Sequence, residues 1–387
     1  MELDNDGFPN PPPYRLIQNQ QSILDEMDLV FIDPIGTGFS RASSEEENKN
    51  FLTVKKDVES VGEIIRLFIS KHKRWNSPLY LAGESYGTTR AAALVDWLQN
   101  RHGIYFSGVI LISCILDFQT IMEVPNHYLP QVLMFPSYAL SSWYHGRVAP
   151  KWKKTSVSAF RKSVENFVIN EYQPKLFLGT ELSDKEKQSI AKKIAEFTGI
   201  DLSDILKWNL KINLEDYISK LFEPEKKGVG RLDSRFLGFE PKWLGADGHR
   251  DPSYFALHGP YSSCANDYLR RHLKVGKVGS DLAYEILNAD VNRYWKWEVE
   301  NSFLDVSIKL KSAMIQNPNL KILVLNGYYD FATPYYAALH NFRHLDLPDE
   351  LRKNLSYEFY EAGHMMYIHL PSLTKLKADI SKWLKGA

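Results

Sequence analysis

The spacing of apolar residues changes period several times along this chain, and each change predicts an element. Asp28-Leu29-Val30-Phe31-Ile32-Asp33 is a continuous apolar run bounded by acids, the pattern of a strand buried on both faces. It runs into a glycine loop, Pro34 to Ser40. From about Thr53 to Lys73 the period is helical, with Val54, Val58, Val61, Ile65, Phe68 and Ile69 on one side. A short strand follows at Pro78 to Ala82, then a helix from Thr88 to Leu98, then a strand at Val109 to Ser113. This succession predicts a mostly parallel, doubly wound sheet with helices on both faces. Between Asp117 and Asn301 the alternation stops, and prolines, aromatics and polar helices such as Asp184 to Phe197 take its place. Residues 117–301 are therefore expected to form a largely helical cap inserted between two parts of one α/β core, 1–116 and 302–387. The second part carries strands at Leu320 to Leu325 and Tyr357 to Tyr360. It also carries a helix from about Tyr335 and a final amphipathic helix from about Ser372 to Leu384.

Composition narrows the function classes. Lys+Arg and Asp+Glu both number 47 in 387 residues, so no global field favours nucleic acid or an anionic membrane. No apolar run is long enough to span a bilayer. Of the two cysteines, Cys114 ends an apolar strand and reads as a buried free thiol. No cofactor is expected. Cys and His show no metal-ligand spacing, His340 and His344 lack the glutamate of a zinc-protease helix, and Gly36-Thr37-Gly38 lacks a dinucleotide fingerprint's third glycine.

The chemistry concentrates at Gly83-Glu84-Ser85-Tyr86-Gly87, where a strand breaks directly into a helix. A serine in such a turn is held in a strained backbone with its hydroxyl exposed at the sheet's edge, and the glycines supply room. The Tyr86 amide, at the helix start, is placed to donate to an oxyanion. A serine hydroxyl becomes nucleophilic when a histidine takes its proton and a carboxylate holds that histidine. Asp330 and His364 each follow a late strand, in the chain order serine, acid, histidine of an α/β-hydrolase fold. Each sits at the carboxyl end of its strand, the side where open parallel sheets place their sites.

Four segments together resemble the S10 serine carboxypeptidase family in its bacterial-type form. They are Gly83-Glu84-Ser85-Tyr86-Gly87, Asp33-Pro34-Ile35-Gly36-Thr37-Gly38-Phe39-Ser40, Asn326-Gly327-Tyr328-Tyr329-Asp330 and Gly363-His364-Met365. The likeness runs in order from about Tyr14 to the C-terminus, through Asp251-Pro252-Ser253-Tyr254. It implies an exopeptidase acting on C-terminal residues, with Ser85 as nucleophile, Asp330 as acid and His364 as base. It further implies that Glu84, while protonated, binds the substrate's terminal carboxylate, and that Met365 lies beside the substrate. It implies an extracytoplasmic location, periplasmic or secreted, and a peptide or small acyl substrate.

The family also carries an Asn-Gly-Gly-Pro-Gly segment that gives one oxyanion donor, and this sequence has none. The strand leading to it would lie between the strands at Val30 and Leu81. The expectation is an N-terminally incomplete chain without its first strands, with a decayed pseudoenzyme as the second explanation. Three functional readings follow: a serine carboxypeptidase, an esterase or acyltransferase with the same triad, and a non-catalytic binding protein.

Overall fold

The computed structural model describes residues 1–240, 251–275, 283–287, 289–297, 299–300 and 302–386. Six strands are present among them: β1 Tyr80–Glu84, β2 Gly108–Ile112, β3 Lys227–Val229, β4 Leu237–Phe239, β5 Lys321–Gly327 and β6 Leu355–Tyr360. Four form one sheet in the order β1-β2-β5-β6, and every pairing in it is parallel. This is the sheet of an α/β-hydrolase fold, as the alternation predicts. β3 and β4 pair antiparallel as a separate small hairpin within the stretch between β2 and β5.

Successive residues of each central strand feed opposite layers. Val109, Leu111, Ile322 and Val324 face the helices Val54–Lys71, Tyr86–His102 and Ser307–Gln316, which contribute Val61, Leu94, Leu98 and Leu310. Ile110, Leu323 and Leu325 face the C-terminal helix Leu370–Lys385, through Leu376 and Ile380. The helix Val54–Lys71 starts where Thr53 caps it by accepting from the Lys56 amide. A third core, rich in aromatics, joins Leu129–Tyr144, Val157–Phe167 and Asp184–Thr198, with Phe135, Tyr138, Phe160 and Phe197 interlocked. Both cysteines are buried free thiols. No helix of the described residues is long and apolar enough to cross a membrane.

One predicted strand does not form. Asp28 to Asp33 is irregular, and Val30 and Phe31 are 53% and 88% exposed. A strand read as buried on both faces needs a neighbouring edge to donate to and accept from. The edge nearest in the sheet order, that of β1, lies across a cleft of about 1750 Å³ whose walls include Val30, Phe31 and Ile32 on one side and Leu81 and Ala82 on the other. Without a ladder the apolar run stays unpaired and wet.

Candidate active site

The turn after β1 is as tight as its glycines imply. β1 ends at Glu84 and the next helix begins at Tyr86, so Ser85 alone makes the turn. Its backbone sits at φ 57°, ψ −126°, a conformation that costs roughly 1–3 kcal/mol and persists only when its surroundings enforce it. Those surroundings are visible. The Ser85 amide donates to the Ile112 carbonyl at 3.0 Å, and the Thr88 amide and hydroxyl both donate to the Ser85 carbonyl, at 2.8 and 2.7 Å.

Tyr86 starts the helix Tyr86–His102, and the first amides of a helix have no partner inside it. The Tyr86 ring is fixed by its hydroxyl, which donates to Asp57 at 3.2 Å, and by the edge of Trp295 at 4.8 Å. Arg90 donates to the same Asp57 oxygen at 2.7 Å.

Asp330 and His364 are brought together from the loops after β5 and β6. Asp330 is fully buried, and its Oδ2 accepts from His364 Nδ1 at 2.8 Å. The amides of Ala332 and Thr333 donate to Oδ1 at 2.7 and 3.0 Å, and the Thr333 hydroxyl donates to Oδ2 at 2.7 Å. Four donors thus hold the carboxylate in place and aim it at the imidazole. Burial alone would pull the His364 proton affinity down. The Asp330 charge and hydrogen bond, with the charge of Glu84, outweigh it and raise the imidazole above its ordinary value. Ser113 at the end of β2 donates to the His364 carbonyl at 2.6 Å, tying this loop to the strand beside the serine turn. Ser85 Oγ makes no hydrogen bond to His364, and such contacts often tighten only when substrate is bound.

Glu84 lies beside this pair. Burial pushes its carboxyl up from the usual range and Asp330 adds to the effect; His364 and a hydrogen bond from Tyr367 oppose it. Met365 packs against the small apolar cluster of Phe236, Leu257 and Ile368.

Several residues that hold the site carry no readable signal in the sequence. The segment 230–236 runs against both catalytic loops. The His364 amide donates to the Leu232 carbonyl at 2.7 Å, that of Phe331 to Arg231, and that of Ser234 to Tyr329. Asp233 accepts from the Gly363 amide at 3.0 Å and pairs with Arg235 at 2.6 Å, both side chains being 2% exposed or less. Arg-Leu-Asp-Ser-Arg reads as a polar loop, and nothing in its spacing announces a buried brace. Thr333 and Tyr367 are equally silent.

Residues 9–369 match the serine carboxypeptidase family. Among solved structures, the chain is similar to Kex1, a prohormone-processing carboxypeptidase from Saccharomyces cerevisiae, at 13% identity and a TM-score of 0.54 over 99% of this chain and 77% of that one. It is also similar to VinJ, at 11% identity and a TM-score of 0.37 over 91% and 79% of the two chains. A thermostable carboxyl esterase from Bacillus coagulans gives 11% and 0.36 over 92% and 79%. No curated protein matches the chain. At such identities the first structural likeness speaks for the fold, while the family match spans nearly the whole chain and takes in the serine turn, the acid and the histidine. The chain belongs to the serine carboxypeptidase family, and is a hydrolase of that type.

Proposed function

We propose that this protein hydrolyses C-terminal peptide bonds through an acyl-enzyme on Ser85. The observation that carries the reading is the buried Asp330–His364 pair, 2.8 Å apart, on loops at the same end of the sheet as the strained serine turn. In the proposed reaction His364 takes the Ser85 proton as Oγ attacks the carbonyl carbon, and the Tyr86 amide donates to the oxyanion. His364 then protonates the leaving amine, and water, activated by the same imidazole, releases the acid and frees Ser85. Asp330 orients the ring through the hydrogen bond it accepts from Nδ1. Glu84, whose carboxyl burial raises above the usual range, donates a hydrogen bond to the terminal carboxylate of the substrate while it is protonated, and Met365 contributes apolar contact at the same end.

Residues 117–301 are proposed to act as a cap that shapes the pocket. A second reading, a protein that keeps the fold without turnover, is favoured by one observation: Ser85 Oγ makes no hydrogen bond to His364. One experiment separates the readings. A fluorophosphonate should label Ser85 stoichiometrically, and N-blocked dipeptides should lose their C-terminal residue. Labelling with ester turnover far above peptide turnover would instead favour an esterase or acyltransferase, and no labelling would favour the non-catalytic protein.

A further inference from the structure

Three residues beyond His364, on the turn Met366–Ile368, the hydroxyl of Tyr367 donates to both carboxyl oxygens of Glu84, at 3.1 and 3.0 Å. Glu84 immediately precedes the nucleophile, and Tyr367 rides on the loop that carries the base. The contact therefore ties the two halves of the site together through one phenol. It also bears on how a carboxyl can bind a carboxylate. Such a pair needs exactly one shared proton, and that proton has to point at the ligand rather than rotate away. A phenol held against both oxygens fixes the plane of the Glu84 carboxyl, and with it the directions in which its proton can be presented.

We propose that Tyr367 is the positioning residue for Glu84, setting the orientation of its carboxyl so that its proton is presented to the terminal carboxylate of a peptide. The inference rests on the role proposed above for Glu84. The other groups that face this carboxyl are His364 and Asp330 from the loops after β6 and β5 and Tyr261 from the helix Pro252–Asp267; Arg231 acts on His364. Tyr367 is the one of these that hydrogen-bonds Glu84. A phenol donating to both oxygens also favours the ionised carboxyl, so removing it leaves Glu84 protonated to higher pH.

The test compares N-blocked dipeptides with N-blocked esters whose leaving group carries no carboxylate, for the wild type, Tyr367→Phe and Glu84→Gln. Tyr367→Phe is expected to raise KM for the dipeptide about tenfold, to leave ester turnover within about twofold, and to move the alkaline limb of dipeptide kcat/KM to higher pH. Replacing Tyr367 by 3-fluorotyrosine, nearly the same shape and a stronger donor, should move that limb to lower pH. The fluorinated protein keeps the test decisive if Tyr367→Phe folds poorly. Limbs that stay in place in both variants, with Glu84→Gln altered as expected, overturn the role of Tyr367 and leave that of Glu84 standing. A Glu84→Gln protein indistinguishable from the wild type on dipeptides removes both.

Discussion

The carboxylate of Asp233 accepts a hydrogen bond from the amide of Gly363 at 3.0 Å, so a residue 130 positions away holds the backbone that carries His364. The same carboxylate grips Arg235 through three contacts of 2.6 to 3.2 Å, and Arg235 reaches on to the Asp6 carbonyl. Removing one partner of a buried pair strands the other charge, which typically costs about 3–5 kcal/mol. Asp233→Ala is therefore expected to lower stability by about that amount, measured by urea unfolding, and to slow fluorophosphonate labelling of Ser85 in the fraction that remains folded. A variant with wild-type stability would show that the pair is not coupled to the loop.

The serine turn makes a stricter demand. A Cβ on Gly83 would lie 2.0 Å from the Gly87 carbonyl oxygen, and backbone cannot give way as a side chain does. Gly83→Ala is expected to open the turn, lowering stability by about 1–3 kcal/mol and abolishing labelling. Gly87 has open space at its Cβ position, so Gly87→Ala should retain labelling. Equal labelling in the two variants would contradict this account of the turn.

Ser85→Ala removes the nucleophile while leaving every backbone contact of the turn in place. The variant is expected to melt within a degree or two of the wild type and to form no acyl-enzyme with activated esters. Turnover that survives the substitution would overturn the assignment of Ser85.

The proton affinities of Glu84 and His364 fix the direction of a pH effect. The base works when neutral, so the acidic limb of ester turnover follows His364, which its negative neighbours hold above the ordinary histidine value. The proposed role requires Glu84 to be protonated on this limb, so Glu84→Gln should leave it in place. Dipeptide turnover in the wild type should in addition fall as Glu84, raised by burial, ionises, giving an alkaline limb that the glutamine variant lacks. Kinetics of both substrates across pH 4 to 9 check both limbs.

Stability follows the same sign. The folded-state value of Glu84 is raised by burial from 4.5, so its contribution is full below that point and is lost as pH rises through the folded value. Glu84→Gln should therefore raise Tm relative to the wild type at pH 7 and change it little at pH 4. A gain of the same size at both values would point to packing rather than to ionisation.

Much of the core could be read in advance because it obeys local rules. Val58, Val61, Ile65 and Ile69 fall on one face of a helix whatever surrounds them, and β2 and β5 are apolar on both faces because a layer of helices covers each side. The positions of Ser85, Asp330 and His364 can be read because each sits at the end of a strand in a fixed order, and the structure brings Asp330 and His364 into contact. Asp28 to Asp33 misled because an apolar run reports that burial is sought, while pairing depends on an edge elsewhere in the molecule. Glu45-Glu46-Glu47 could pass for a solvated loop, yet Ser44 caps it into the short helix Glu45–Asn50, with the acids at the positive helix end. Asp233 and Tyr367 are invisible in the sequence because their roles come from contacts 130 and 283 positions along the chain.

The outer edge of β1 pairs with no strand among the described residues, and it opens on the cleft lined by Val30, Phe31 and Leu81. A strand edge without a partner strand is a template for strand addition, and natural sheets ordinarily blunt such edges with charge, proline or a covering segment. The same strand that delivers Ser85 is thus where this protein would begin to stick to itself. Self-association through that edge would involve five residues, Tyr80 to Glu84.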